Sequence, residues 1–135
     1  MTTKKASDLV AEAKSKIENL GVDEFDKERT DGALVVDIRD VPELEASGHI
    51  PGSVHVPRGM LEFRADPSSP YHQDGLDPDR RIILHCASGG RSALAAATLQ
   101  EMGYGQVAHM DGGAKAWKDS GRPMQEGAEL NATDG

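Results

Sequence analysis

Cysteine occurs once in the 135 residues, at Cys86, and Ala87, Ser88, Gly89, Gly90 and Arg91 follow it. Before it runs Arg81-Ile82-Ile83-Leu84-His85, an apolar stretch of strand length. After it, residues 92–102 are rich in alanine and leucine, both strong helix formers. The spacing predicts a thiol on the turn between the carboxyl end of a strand and the amino end of a helix. Backbone N–H groups in the first turn of a helix have no partner inside it. That end also carries a partial positive charge, so it suits an anion. Gly89 and Gly90 let the loop curl with its amides pointing inward. A free thiol titrates near about 8.5, whereas one at a helix amino end or beside a cation falls to roughly 3.5–7.5. The chemistry on offer is that of a thiolate nucleophile, with directed N–H donors supplying most of the activation. A lone cysteine after a strand also reads as a small buried hydrophobe. The glycine pair, Arg91 and the helix start favour the chemical reading.

The rest of the chain must position that loop. In residues 6–20, Ala6, Leu9, Val10, Ala13, Ile17 and Leu20 recur at helical spacing, and Gly21 stops them. Residues 33–38 form a continuous apolar run, read as a buried parallel strand. Residues 42–46 form a short helix with Pro42 near its start. Gly48-His49-Ile50-Pro51-Gly52-Ser53 is turn chemistry. Residues 54–56 make a short strand ended by Pro57, and residues 58–64 a helix. Residues 66–79 read as loop. A strand at 106–110 leads through Asp111-Gly112-Gly113 into a helix at 114–119 that carries Trp117. Strands alternating with helices predict an α/β domain with a mostly parallel sheet. Ligands bind such sheets beyond the carboxyl ends of the strands, where Cys86 falls.

Net charge is −8, from 23 acidic and 15 basic residues, which argues against a nucleic-acid partner. No long apolar run predicts a membrane span, and no apolar leader follows Met1, so a cytoplasmic protein is expected. A single cysteine makes no internal disulfide and no Cys-rich zinc site. No metal and no cofactor is expected.

Four pieces of the chain, in order, resemble the rhodanese superfamily. They are Val36-Asp37-Ile38-Arg39, Gly48-His49-Ile50-Pro51-Gly52-Ser53, the loop from Cys86 to Arg91, and Gly112-Gly113 followed by Ala116-Trp117. The resemblance implies a rhodanese-like α/β fold: a five-stranded, mostly parallel twisted sheet flanked by helices on both faces. It spans residues 22–124, with an N-terminal helix in 1–21 packed on the domain and a flexible tail at 125–135. It implies that Cys86 is the nucleophile. Ala87, Ser88, Gly89, Gly90, Arg91 and Ser92 would bind the transferred sulfur or its anionic carrier. The implied reaction is ping-pong sulfur transfer through a Cys86 persulfide. A small donor such as thiosulfate or a persulfide would load it, and cyanide or a thiol would unload it. A protein donor or acceptor fits equally.

Several positions keep two readings. Asp37 and Arg39 are solvent-facing charges, or, as the resemblance implies, they brace the site through hydrogen bonds. Arg91 aims at the substrate or locks the loop through carbonyls. Ser88 donates to the ligand or faces solvent. His85 and His49 read as structural, and Trp117 as a core anchor. Residues 57–72 read as a surface loop, with site cover or partner binding as alternatives. The functional alternatives are a sulfur-carrier or regulatory module and a small cysteine-dependent phosphatase or arsenate reductase. Related phosphatase loops hold five residues between cysteine and arginine. Here four separate Cys86 from Arg91, which suits a single sulfur better than a tetrahedral phosphate.

Overall fold

The computed structural model describes residues 3–126. Helix α1 (Ala6–Lys16) starts where the Asp8 carboxylate accepts from the Lys5 backbone N–H at 3.1 Å. It ends at Ile17, whose backbone is extended (φ −119°, ψ 166°). The helical spacing predicted a longer helix, through Leu20. Residues Glu18–Leu20 instead form strand β1, because they pair in parallel with a partner: Glu18 beside Ala108, Asn19 beside His109, Leu20 beside Met110. Periodicity within one segment cannot register a pairing with another. Helix α2 (Val22–Thr30) follows, a polar segment with one fully buried residue, Phe25.

The body continues as β2 (Leu34–Asp37), α3 (Val41–Ser47) and β3 (Val54–His55). A short 3-10 turn (Arg58–Met60) runs into α4 (Leu61–Ala65). Then come β4 (Ile82–His85), α5 (Gly90–Glu101), β5 (Val107–Met110) and α6 (Gly113–Asp119). The sheet has five strands in the order β1-β5-β4-β2-β3, and every neighbouring pair is parallel. Among the described residues no helix is long and apolar enough to cross a membrane.

Successive strand residues face opposite sides of a sheet. Val36, Ile82, Leu84 and Val107 therefore pack on one face with Ala13 of α1, Ile17 just past it, and Ala93, Ala96 and Leu99 of α5. Val35, Ile83, Ala108 and Met110 pack on the other with Phe25 of α2 and Trp117 of α6. Trp117 is fully buried, meets Phe25 edge-to-face at 5.6 Å, and donates its indole N–H to the Pro123 carbonyl at 2.7 Å. Removing such a ring costs about 3–5 kcal/mol. Cys86 continues the face of Ile82 and Leu84, towards α1 and α5. His85 points to the opposite face, where Phe25 lies 6.3 Å away.

Within residues 57–72, Leu61 and Ala65 are buried, whereas Phe63 and Tyr71 are exposed. The Tyr104 hydroxyl, just past α5, bonds the carbonyls of Ala65 (2.6 Å) and Leu76 (3.2 Å). Gln125, expected in the tail, exchanges two 2.8 Å backbone hydrogen bonds with His49. Residues 127–135 of that expected tail lie outside the described residues.

Candidate active site

Cys86 is 1% exposed and sits at the carboxyl end of β4, one of the central strands. Its Sγ accepts from the backbone N–H of Gly89 at 3.1 Å and of Ser92 at 3.4 Å. The Ser92 hydroxyl stands 3.6 Å from the same sulfur. Gly89 caps α5 in a left-handed conformation (φ 116°), which turns its own N–H inward. Burial pushes the Cys86 thiol up. The Ser92 hydroxyl and the N–H groups of Ser92, Gly89 and Ser88 outweigh it and hold the thiol below its ordinary value. The Ser88 side chain itself is exposed.

Helix α6 holds the loop from behind. The N–H groups of Ala114 and Lys115 donate to the carbonyls of Cys86 (2.9 Å) and Ala87 (3.0 Å). The loop thus turns its carbonyls to α6 and its amides to the sulfur. Gly113 (φ 59°) makes this approach possible, since a Cβ there would lie 2.5 Å from the Cys86 carbonyl oxygen. That contact gives Gly113, the second glycine of the Gly112-Gly113 pair, a structural reason.

Arg91 does not reach the sulfur and does not lock the loop through carbonyls. Its guanidinium forks onto Glu43 of α3, at 2.8 and 2.9 Å. Asp37 and Arg39 are not solvent-facing: both are buried, and Arg39 Nη2 lies 2.9 Å from Asp37 Oδ2. Arg39 also donates to the Ser47 hydroxyl (2.9 Å) and the Gly48 carbonyl (2.8 Å), tying the end of β2 to the turn after α3. Burial pushes the Asp37 carboxyl up; the neighbouring His85 and the Arg39 guanidinium on both its oxygens together bring it below its ordinary value. His85 is fully buried, with Nδ1 3.3 Å from the Cys86 carbonyl oxygen and Nε2 3.7 Å from Asp37. Burial favours its neutral ring.

A cavity of about 270 Å³ opens beside the loop, lined by Arg39, Ser47, Ala87, Ala114, Lys115, Lys118 and Asp119. It places Lys118 and the Lys115–Asp119 ion pair in the same lining as Ala87, the residue that follows Cys86. Among the described residues no cluster of three or more His, Cys, Asp or Glu side chains is placed to hold a metal ion. Sequence reasoning missed three residues: Glu43, and the pair His109 and Asn19 behind Ser92. The one signal for the pair was a histidine inside an otherwise apolar strand, Val107-Ala108-His109-Met110.

A parallel α/β sheet that hands a buried cysteine to an amide-lined loop defines a cysteine-centred α/β domain. Residues 21–120 match the Rhodanese-like domain, and the chain belongs to that family. A sulfurtransferase of Allochromatium vinosum is 35% identical over 95 residues, covering 70% of this chain and 80% of its own. The thiosulfate sulfurtransferase GlpE of Stutzerimonas stutzeri is 38% identical over 90 residues, covering 67% and 74%. Among solved structures, RPA3614 of Rhodopseudomonas palustris superposes with a TM-score of 0.86 at 43% identity, over 93% of this chain and 97% of its own. It is described as a protein of unknown function and a possible tyrosine phosphatase.

Proposed function

We propose that the protein is a sulfurtransferase that carries a sulfane sulfur as a persulfide on Cys86. The observation that carries this reading is the Cys86 sulfur, seated on two backbone N–H groups and a hydroxyl at the start of α5. The Cys86 thiolate attacks the outer sulfur of thiosulfate. An S–S bond forms to Sγ, the bond to the sulfite group breaks, and sulfite leaves with the electron pair. The charge then rests on the outer sulfur of the persulfide. Amides of Ala87, Ser88, Gly89, Gly90, Arg91 and Ser92 cradle it. Cyanide or a thiolate attacks that sulfur, and Cys86 leaves as thiolate. Asp37 and Arg39 brace the neighbouring turn throughout. Two named sulfurtransferases among the relatives support the class, and one of them supports thiosulfate as donor.

The test is the intact mass after incubation with thiosulfate, for the wild type and Cys86→Ser. One added sulfur on the wild type alone, removed by cyanide with thiocyanate released, is the expected result. Transfer that survives Cys86→Ser overturns the reading.

The likeness to RPA3614 brings a phosphatase into consideration. Two observations weigh against it: the four-residue spacing to Arg91, and the engagement of that arginine by Glu43 rather than by the anion seat. Hydrolysis of p-nitrophenyl phosphate that depends on Cys86, with no sulfur gain from thiosulfate, would establish the phosphatase instead.

A further inference from the structure

Behind the Cys86 sulfur runs a line of polar groups, from the buried Ser92 and His109 to Asn19 at the surface, of which the sulfur-transfer steps use only the Ser92 hydroxyl. The Ser92 Oγ lies 3.6 Å from Sγ and 2.8 Å from His109 Nδ1. His109 Nε2 lies 2.7 Å from Asn19 Oδ1. Ser92 and His109 are both fully buried. They come from α5 and β5, while Asn19 comes from the edge strand β1.

The hydrogen bonds fix where the protons are. The Asn19 amide nitrogen donates to the carbonyls of Lys14 (2.9 Å) and Ile17 (3.1 Å). That orients Oδ1 as an acceptor, so His109 Nε2 must carry hydrogen. A neutral His109 therefore has a bare Nδ1. The single hydroxyl proton of Ser92 then goes to Nδ1 in preference to the Gly89 carbonyl at 3.3 Å. With that proton committed, Ser92 can only accept from the Cys86 thiol. Ionisation of the thiol reverses each bond in turn.

We propose that Cys86, Ser92 and His109 form a proton path, held in one tautomer by Asn19, and that His109 takes the thiol proton when Cys86 becomes the thiolate. The Sγ–H bond breaks and a new Oγ–H bond forms. The old Oγ–H bond breaks and an Nδ1–H bond forms. The neutral thiol and imidazole become a thiolate and an imidazolium, with Ser92 donating to the sulfur. His109 is a positioning residue, since it acts through Ser92 and does not touch the reacting sulfur. The groups facing it are Ser92 and, through it, Cys86 on the α5 side, Asn19 on β1, Lys14 on α1, and Asp111 after β5. Lys14 and Asp111 are paired at 2.9 Å, so their charges largely offset one another at the ring. Burial keeps the ring neutral while the thiol holds its proton, which leaves Nδ1 free to receive it.

The inference deepens the sulfur-transfer reading and rests on it for Cys86 as the reacting group. Its test uses no sulfur donor, so the two can fail separately. The rate of Cys86 alkylation by iodoacetamide is followed by mass against pH, for wild type, His109→Asn, Ser92→Ala and the double variant. Two coupled groups titrate in two macroscopic steps, and the first should bring reactivity well below the free-thiol range of about 8.5. Each single variant should lose that step and move the midpoint up by about one unit, a tenfold slower reaction on the acid limb. The double variant should move it no further than either single change, because all three break one path. Superimposable profiles for wild type and His109→Asn overturn the proposal. A second measurement needs no substitution. The His109 ring is titrated by NMR before and after Cys86 is alkylated. Coupling is reciprocal, so loss of the thiolate should lower the His109 midpoint. An unchanged midpoint overturns the proposal as well.

Discussion

Arg91 and Glu43 meet fork to fork, Nη1 on Oε1 at 2.8 Å and Nη2 on Oε2 at 2.9 Å. Glu43 Oε1 also accepts from the Asp40 backbone N–H at 3.1 Å, at the start of α3. One carboxylate thus joins the first turns of α3 and α5. Arg91 pulls the Glu43 carboxyl down to about 2. The guanidinium spends its directional bonds on α3, yet its charge still senses the Cys86 sulfur. Arg91 is therefore a strut by geometry and a long-range cation by charge.

The two roles separate in kinetics. Glu43→Gln removes the neutralising charge and leaves Arg91 facing the anion seat. Thiosulfate KM should fall about threefold, the size of a partly exposed charge effect of roughly 0.6 kcal/mol. Arg91→Ala should move KM the other way, with kcat little changed in both. Unchanged KM in both variants would leave Arg91 as a strut only. Steady-state rates with thiosulfate and cyanide decide it.

Asp37 and Arg39 differ from that pair in burial, with side chains 0% and 3% exposed against 34% and 40% for Glu43 and Arg91. Water cannot compensate a partner left alone there. Asp37→Asn or Arg39→Met should cost about 3–5 kcal/mol in unfolding free energy, because each strands a buried charge. The double change to an apolar pair should cost much less than the sum. Urea denaturation of the three variants measures this. Near-additive losses would mean that the two residues do not act as a pair.

Much of the site was legible in the sequence because it lies within one continuous stretch. The buried run before Cys86, the two glycines and the helix-forming segment after them are neighbours in the chain, and each follows from local rules. What was missed depends on distant pairing. β1 is three residues whose first two are exposed, so nothing within residues 18–20 marks a strand. α2 has one buried residue, Phe25, and hence no apolar stripe. His109 and Asn19 stand 90 positions apart and meet only because β1 lies beside β5. Glu43 is 48 positions from Arg91, and its carboxylate also fits an ordinary helix-capping role.

Gly113 tests how far the loop depends on its backing. Its Cβ position is 2.5 Å from the Cys86 carbonyl oxygen and 2.7 Å from the Ala87 carbonyl oxygen, and its φ is 59°. Gly113→Ala adds left-handed strain to a backbone clash, together about 2–4 kcal/mol. Relief requires α6 to retreat, which breaks the hydrogen bonds from Ala114 and Lys115 to the loop. Cys86 alkylation at neutral pH should slow along with the loss of stability. Gly121→Ala is the control. It also has positive φ (83°), but nothing lies within 4 Å of its Cβ position. It should lose stability from strain alone and leave Cys86 reactivity unchanged.

The depressed thiol has a consequence for stability as well as for reactivity. Cys86 is 1% exposed, so its hydrogen bonds are little screened by solvent. In the folded protein the thiol ionises below its unfolded value, against the burial that opposes it. A group lowered on folding adds stability that is fully present above its unfolded value, about 8.5 for a thiol. That stability is lost as pH falls through the folded value. His109→Asn removes the internal acceptor, so in that background the thiol proton leaves to solvent, and His109→Asn/Cys86→Ser lacks the titration and serves as the reference. The difference in unfolding free energy, His109→Asn minus the double variant, should be flat at low pH and rise towards about pH 8.5. It should gain about 1.4 kcal/mol for each unit of depression. Urea denaturation under reducing conditions across this range gives the curve. A difference that stays flat would mean the N–H donors around Sγ only offset burial, and the thiol reacts no more readily than a free one. A difference that falls with pH would mean that the folded protein favours the neutral thiol.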